Sequence, residues 1–156
     1  MRRAEDELAS DSNADVVRRY MAAHAAHDYD TVGSIRHRDW VEEWPQTGER
    51  VRGHANDAAI MANYPGGRPE VGDVRLVGSE DRWVMTPAMT IQRVIGGGDT
   101  FFADGTAAYP DGSRWFVAAL VELRDGKILH ETWYFAPPME PPEWRAQWVE
   151  RTSNGA

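Results

Sequence analysis

The stretch 113–136, SRWFVAALVELRDGKILHETWYFA, constrains the fold more than any other part of this chain. Two runs rich in β-branched and aromatic residues flank Arg124-Asp125-Gly126-Lys127. An Asp-Gly step between such runs predicts a β-hairpin, because glycine accepts the positive φ that the tight turn requires. The second arm stops at Pro137-Pro138, which cannot donate to a sheet ladder. A long hairpin late in the chain makes an antiparallel sheet the expected body of the protein.

What precedes the hairpin is helical first and extended afterwards. Ser12-Asn13-Ala14-Asp15 reads as a capping box, and the helix behind it spaces Val16, Val17, Tyr20, Met21 and His24 by three and four, an amphipathic stripe. A short helix is expected over 29–35. In 39–53 the pattern is strand, turn near Gln46-Thr47-Gly48, return strand, and the two-residue period puts Trp40, Glu42 and Trp44 on one face. A third helix is expected over 56–64, closed by Pro65-Gly66-Gly67. Strands are then expected over 71–77, 83–95, 100–109, 115–124 and 128–135, with turns at 96–99, 110–112 and 125–126 and an interruption at Pro87. Residues 143–151 can form a last helix with Trp144 and Trp148 on one face. Helices followed by a run of strands is the α+β pattern, with helices packed on one face of a curved antiparallel or mixed sheet. Three parts are expected: a flexible acidic N-terminus (1–11), one domain (12–136) and a proline-rich tail with a short helix (137–156).

Composition narrows the function classes. At 156 residues with 42% apolar and 10% aromatic side chains, the chain can bury a core as one domain. A net charge of −8 argues against a nucleic-acid or anionic-membrane surface. With no cysteine there are neither disulfides nor thiolate metal sites. The five histidines are too scattered for a metal triad, so no metal and no cofactor are expected. No apolar run reaches a membrane span and no signal-peptide pattern follows Arg2-Arg3, so a cytoplasmic location is expected.

Three segments in this order, VVRRYMAAHAAHDYDTV, EWPQTGERVRG and DGKILHETWYF, resemble the SnoaL-like and ketosteroid-isomerase-like members of the nuclear transport factor 2 superfamily, over roughly residues 15–136. The resemblance implies a cone-shaped, cystatin-like α+β barrel with a hydrophobic pocket and a homodimer formed through the sheet. In the steroid isomerases a tyrosine of a first-helix VVxRY motif donates a hydrogen bond to the developing enolate, and Tyr20 sits in that motif. The position of their general base falls on Trp44, with Glu43 one residue earlier, and that of their oxyanion-hole acid on Ala119. The aspartate of limonene-epoxide hydrolases, two residues before the aromatic of the last strand's YF, falls on Trp133.

Strand parity with Trp133 puts Leu129, Glu131, Trp133 and Phe135 on the pocket side. Glu131 is therefore the expected acid or base, since burial among aromatics would raise its pKa towards neutrality. Tyr20, with His24 one turn on, is the expected stabiliser of a developing oxyanion. Trp40, Trp44, Ile60, Tyr64, Trp115, Trp133 and Phe135 are the expected ligand-binding set, holding a small apolar, oxygenated molecule for isomerisation, cyclisation or hydration. Against this stand two other readings: indoles that fill the cone solidly, and a non-catalytic carrier or dimeric interaction domain. Whether Glu43 or Trp44 faces inward is left open by the sequence.

Overall fold

The computed structural model describes residues 2–63, 88–108 and 113–152, with the backbone alone for 2–12, 88 and 108. The expected strand 71–77, Trp83, Pro87, the closing turn at 65–67 and the turn at 110–112 lie outside these residues, as does Tyr64.

Helix α1 (Arg2–Ala25) begins well before Ser12. The expected cap there is thus corrected: the segment RRAEDELASD is dense in Arg, Ala, Glu and Leu, strong helix formers, and the helix continues through it. Val17, Tyr20, Met21 and His24 are buried along one stripe. Helix α2 (Tyr29–Ile35) follows at once, with the Asp28 carboxylate accepting from the Thr31 amide at 3.1 Å. Strands β1 (Arg36–Trp44) and β2 (Glu49–Arg52) and helix α3 (His54–Ala62) complete the first half. The second half is β3 (Ala88–Gly97), β4 (Thr100–Ala108), β5 (Arg114–Arg124) and β6 (Lys127–Ala136). The turn of the late hairpin is the one expected: Asp125 and Gly126 both take positive φ, 52° and 70°.

The six strands form one mixed sheet in the order β2-β1-β6-β5-β4-β3, in which β1 and β6 run parallel and the other neighbours antiparallel. Among the described strands β2 and β3 end the sheet, so it is not closed. Helix α1 lies across β3 and β4. The main core joins Val17, Tyr20 and Met21 of α1 to Trp40, Phe101, Ala119, Val121, Ile128 and Trp133, and a satellite cluster holds Ala107, Trp115 and Val117. Alternation along β5 is regular, with Trp115, Val117, Ala119, Val121 and Leu123 inward and Phe116 and Leu120 outward.

Two irregularities decide what reaches the interior. In β6 the register slips between the pairs Glu122–His130 and Leu123–Ile128, so Leu129 is an extra residue. Ile128, Glu131 and Trp133 therefore share the inner face, and Leu129 does not join them as simple parity would have it. In β1 the register slips between Arg36 and Val41, which turns Arg38 and Asp39 out and leaves Arg36, Trp40 and Glu42 in. Beyond β6, residues 143–148 form a 3-10 helix rather than the expected α-helix; a six-residue segment entered from Pro141-Pro142 is short enough for the tighter turn. Among the described residues no helix is long and apolar enough to cross a membrane.

Candidate functional site

The inner face of β1 and β6 carries charge as well as aromatic rings. Arg36 leaves α2 as the first residue of β1, and its side chain is 1% exposed. Burying a guanidinium costs several kcal/mol unless its donors are met. Here Nη1 donates to Asp57 Oδ2 and approaches His54 Nδ1 at 3.0 Å, both on α3. A guanidinium only donates, so His54 Nδ1 is the acceptor and the ring carries its proton on Nε2. Nε donates to the Tyr20 hydroxyl oxygen at 2.8 Å. The guanidinium also lies 3.5 Å over the Trp40 ring, a cation–π contact. Nη2 has no hydrogen-bond partner among the described residues; Glu42 Oε2 and Glu131 Oε2 stand 3.7 and 3.9 Å from it.

His54 gains its position from Gly33. A Cβ on Gly33 would lie 2.4 Å from His54 Nε2, so only glycine lets α2 and the imidazole approach this closely. Asp57, in the first turn of α3, is buried for the same purpose: it faces the cation rather than solvent.

Glu131, wholly buried on β6, accepts from three donors: the Tyr20 hydroxyl and Trp40 Nε1 (2.7 Å) on Oε2, and Trp133 Nε1 (3.0 Å) on Oε1. Tyr20 is pushed well above the ordinary phenol range, by burial first and then by the Glu131 charge, so it stays a phenol with its proton directed at Glu131. Glu42, opposite Glu131 in the β1–β6 register, takes the Trp44 indole N–H on Oε1. Burial, then the charges of Glu131 and Asp57, push Glu42 well above the usual carboxylate range despite Arg36 nearby. Three buried carboxyls surround one guanidinium, and like charges at this distance favour the neutral form of Glu42. Its Oε2 stands 3.7 Å from Arg36 Nη2, the buried cage atom without a hydrogen-bond partner among the described residues.

The profile of the SnoaL-like domain family matches residues 17–131, most of the chain and all of this network except Trp133. The chain belongs to the SnoaL-like family. Among solved structures, this SnoaL-like domain is similar to a nuclear transport factor 2-like protein of unknown function from Burkholderia xenovorans, at 29% identity and TM-score 0.69 over 92% of this chain and 97% of that one. It is similar in fold to a putative ketosteroid isomerase from Kribbella flavida, at 22% identity and TM-score 0.72 over 92% and 91%. An epoxide hydrolase of limonene-epoxide-hydrolase type from Mycobacterium tuberculosis shares the fold at 21% identity and TM-score 0.58 over 81% and 84%. No curated protein matches the chain.

The SnoaL-like domain gathers several of the sequence candidates and rearranges their parts. Tyr20 and Glu131 are in direct contact rather than facing each other across a space, and the Tyr20 proton is committed to Glu131. His24 lies edge-on to the Tyr20 ring at 4.6 Å and 5.6 Å from Trp133. Burial, with the Arg36 charge behind it, pushes His24 down to about 3, which leaves it neutral and removes it as a proton shuttle near neutral pH. Its Nε2 has no hydrogen-bond partner among the described residues, so the ring remains a polar contact. Trp40, Trp44 and Trp133 are built into the cage as hydrogen-bond donors, and Phe135 stacks on Trp133 at 6.1 Å. Trp115 is buried in the satellite cluster away from the cage, and Ile60 on α3 is exposed. The open question at 43–44 resolves by parity: Trp44 is inward, and Glu43 is outward with Arg50 (2.7 Å) and His130 (3.3 Å).

Arg36, Asp57, His54 and the role of Glu42 escaped the sequence reading. Glu42 alone carried a signal, since it shares a strand face with two tryptophans.

Proposed function

We propose that this SnoaL-like domain is a cofactor-independent acid–base catalyst acting on a small, largely apolar, oxygenated molecule, with Glu42 as the group that carries the proton. One observation supports this above the others: three buried carboxyls share one buried guanidinium, so Glu42 is held protonated beside a fixed positive charge. A carboxyl whose neutral form is favoured by burial and neighbouring charge is suited to act as a general acid. Glu42 hands its proton to a substrate oxygen as negative charge develops there, Arg36 Nη2 donates to the same oxygen, and the proton released from substrate or water restores Glu42. Tyr20, Asp57 and His54 are positioning residues that hold Arg36 and Glu131. The names borne by the similar folds, ketosteroid isomerase and epoxide hydrolase, are reactions in which an oxygen gains negative charge, and both fit this set.

The test is a panel of β,γ-unsaturated ketones and small aliphatic epoxides, followed by conjugated-enone absorbance and by diol formation. Glu42→Gln is expected to lower kcat by roughly 10²–10⁴-fold on whichever substrate turns over, with binding, read by quenching of the buried tryptophans, changed little. Equal turnover by wild type and Glu42→Gln refutes the assignment. Turnover of neither class, with no quenching by any member, refutes the catalytic reading.

A further inference from the structure

Trp44 is the last residue of β1, and its backbone is held from both sides. It precedes Pro45, which confines it to extended backbone angles. Beyond the proline the chain turns back, with Gly48 at a positive φ of 74°. Three donors converge there on the Trp44 carbonyl: the Thr47 and Gly48 amides at 3.2 and 2.9 Å and the Thr47 hydroxyl at 3.3 Å. Across the ladder Trp44 pairs with Glu49 of β2. Its ring, half-buried at the end of the strand, packs against the main core. The two-residue period puts it on the face of Glu42, and its indole N–H donates to Glu42 Oε1. A side chain with only two χ angles, on a backbone fixed this way, is a rigid donor.

We propose that Trp44 is the positioning residue of Glu42, holding Oε1 as an acceptor so that the proton of this carboxyl is carried on Oε2. The assignment rests on the reading of Glu42 as the proton carrier. A neutral carboxyl has one O–H and accepts best at its carbonyl oxygen, while an indole N–H only donates. Bonding to Trp44 therefore makes Oε1 the carbonyl oxygen and leaves the hydroxyl to Oε2. Arg36 Nη2, 3.7 Å from Oε2, also only donates and cannot accept from that hydroxyl. When the proton leaves Oε2 for a substrate oxygen, its bonding pair stays on the carboxyl and the negative charge spreads to Oε1. The indole bond then becomes charge-assisted and strengthens. Trp44 thus stabilises the carboxylate that the transfer produces more than the acid that precedes it, which is the condition for a contact to accelerate a step. Burial and the charges of Glu131 on β6 and Asp57 on α3 favour the acid, whereas Arg36 and the Trp44 bond favour the carboxylate. Tyr20 on α1 also stands near enough to feel the Glu42 charge. Trp44 is the one uncharged group set against the acid form.

NMR of the full chain, isotope-labelled at the glutamate carboxyl carbons and the indole nitrogens, tests this without a substrate. The Glu42 signal is identified by its loss in Glu42→Gln, and the Trp44 indole signal by its loss in Trp44→Phe. Phenylalanine keeps an aromatic ring on the core and removes the N–H. Glu42 is then expected to bind its proton roughly tenfold more tightly, a titration displaced to higher pH. In wild type the Trp44 indole signal is expected to follow the Glu42 titration, and in Glu42→Gln to lose that pH dependence. On any substrate of the panel that turns over, Trp44→Phe is expected to lower kcat about three- to tenfold with KM little changed, and to move the alkaline limb of the kcat profile to higher pH. Equal titration of Glu42 in wild type and Trp44→Phe, or an indole signal indifferent to Glu42, overturns the positioning role. Absence of turnover sinks the catalytic reading alone, and the spectra still decide what Trp44 does to Glu42.

Discussion

His24 offers a quantitative test of how the core beneath the cage is built. Its imidazole ordinarily titrates near 6.5 and is pushed down to about 3 by burial and then by the Arg36 charge. Between those two values the unfolded chain binds a proton that the folded protein refuses, so acid draws the equilibrium towards unfolding. The contribution is fully present above pH 6.5 and is lost as pH falls towards 3. Each pKa unit is 1.36 kcal/mol, so the 3.5 units between 6.5 and about 3 set a ceiling of roughly 5 kcal/mol, of which about 2 kcal/mol is lost by pH 5. For a domain of this size that is roughly 4–8 °C in Tm.

The assay is urea unfolding at pH 8 and pH 5, followed by tryptophan fluorescence, for wild type and His24→Phe. Phenylalanine keeps an aromatic ring against Tyr20, Tyr29 and Trp133, and the His24 Nε2 that it removes has no hydrogen-bond partner among the described residues. Whatever the larger ring costs in packing is the same at both pH values and cancels. Glu42 opposes the effect of His24 as pH falls, and it does so in both proteins, so it cancels as well. Wild type is expected to lose about 2 kcal/mol more than His24→Phe on going from pH 8 to pH 5. Equal losses refute the burial of a neutral imidazole.

The remaining expectations concern the cage and its supports. Arg36→Met leaves Asp57 and Glu131 buried without their cation and should cost about 3–5 kcal/mol in urea unfolding, whereas Arg36→Met with Asp57→Asn should recover part of that loss. Glu42→Gln should stabilise the fold at alkaline pH: the pKa of Glu42 is raised on folding, so the stability it lends at low pH disappears as pH rises through the raised value, and glutamine does not titrate. Its signature is a flatter stability–pH curve than wild type between pH 5 and 9. Gly33→Ala should displace the His54 ring and cost about 1–3 kcal/mol, while Glu43→Gln on the outer face, where the carboxylate meets Arg50 and His130 in partial solvent, should cost under about 1 kcal/mol.

The hairpin at 113–136, the short helix over 29–35 and the amphipathic stripe of α1 were legible because each depends on neighbours in sequence. Turn chemistry fixes Asp125-Gly126, and helical spacing puts Val17, Tyr20 and Met21 together. The burial of Glu131 was legible too, since strand parity from Trp133 placed it inside. Arg36 was not. It lies in RHRD between a helix and a strand, where four polar residues read as a solvated junction, and the slip of register in β1 leaves Arg38 out although it shares parity with Arg36 and Trp40. Asp57 and His54 were hidden differently: an acid in the first turn of a helix already has a reason to be there, its attraction to the helix dipole. That α3 folds over Arg36, with Gly33 making room for the imidazole, is a tertiary fact with no periodic trace.

The cage itself is an argument about constraint. A core that served only to hold α1 on the sheet would be more stable if Tyr20, Arg36, Glu42, Asp57 and Glu131 were replaced together by apolar groups of similar volume, because buried ion networks seldom repay their desolvation. This SnoaL-like domain instead spends Trp40 and Trp133 as hydrogen-bond donors to Glu131 and Trp44 as a donor to Glu42. Of the cage's buried side-chain atoms, Arg36 Nη2 has no hydrogen-bond partner among the described residues. Glu42 Oε2 stands 3.7 Å from that nitrogen. Local rules of packing are broken where function asks for it, and the proposed function would give the cage such a reason. If a variant replacing Glu42 and Arg36 by Leu and Met folds more stably than wild type yet still performs whatever chemistry the wild type performs, the cage has no catalytic purpose and its polarity needs another cause.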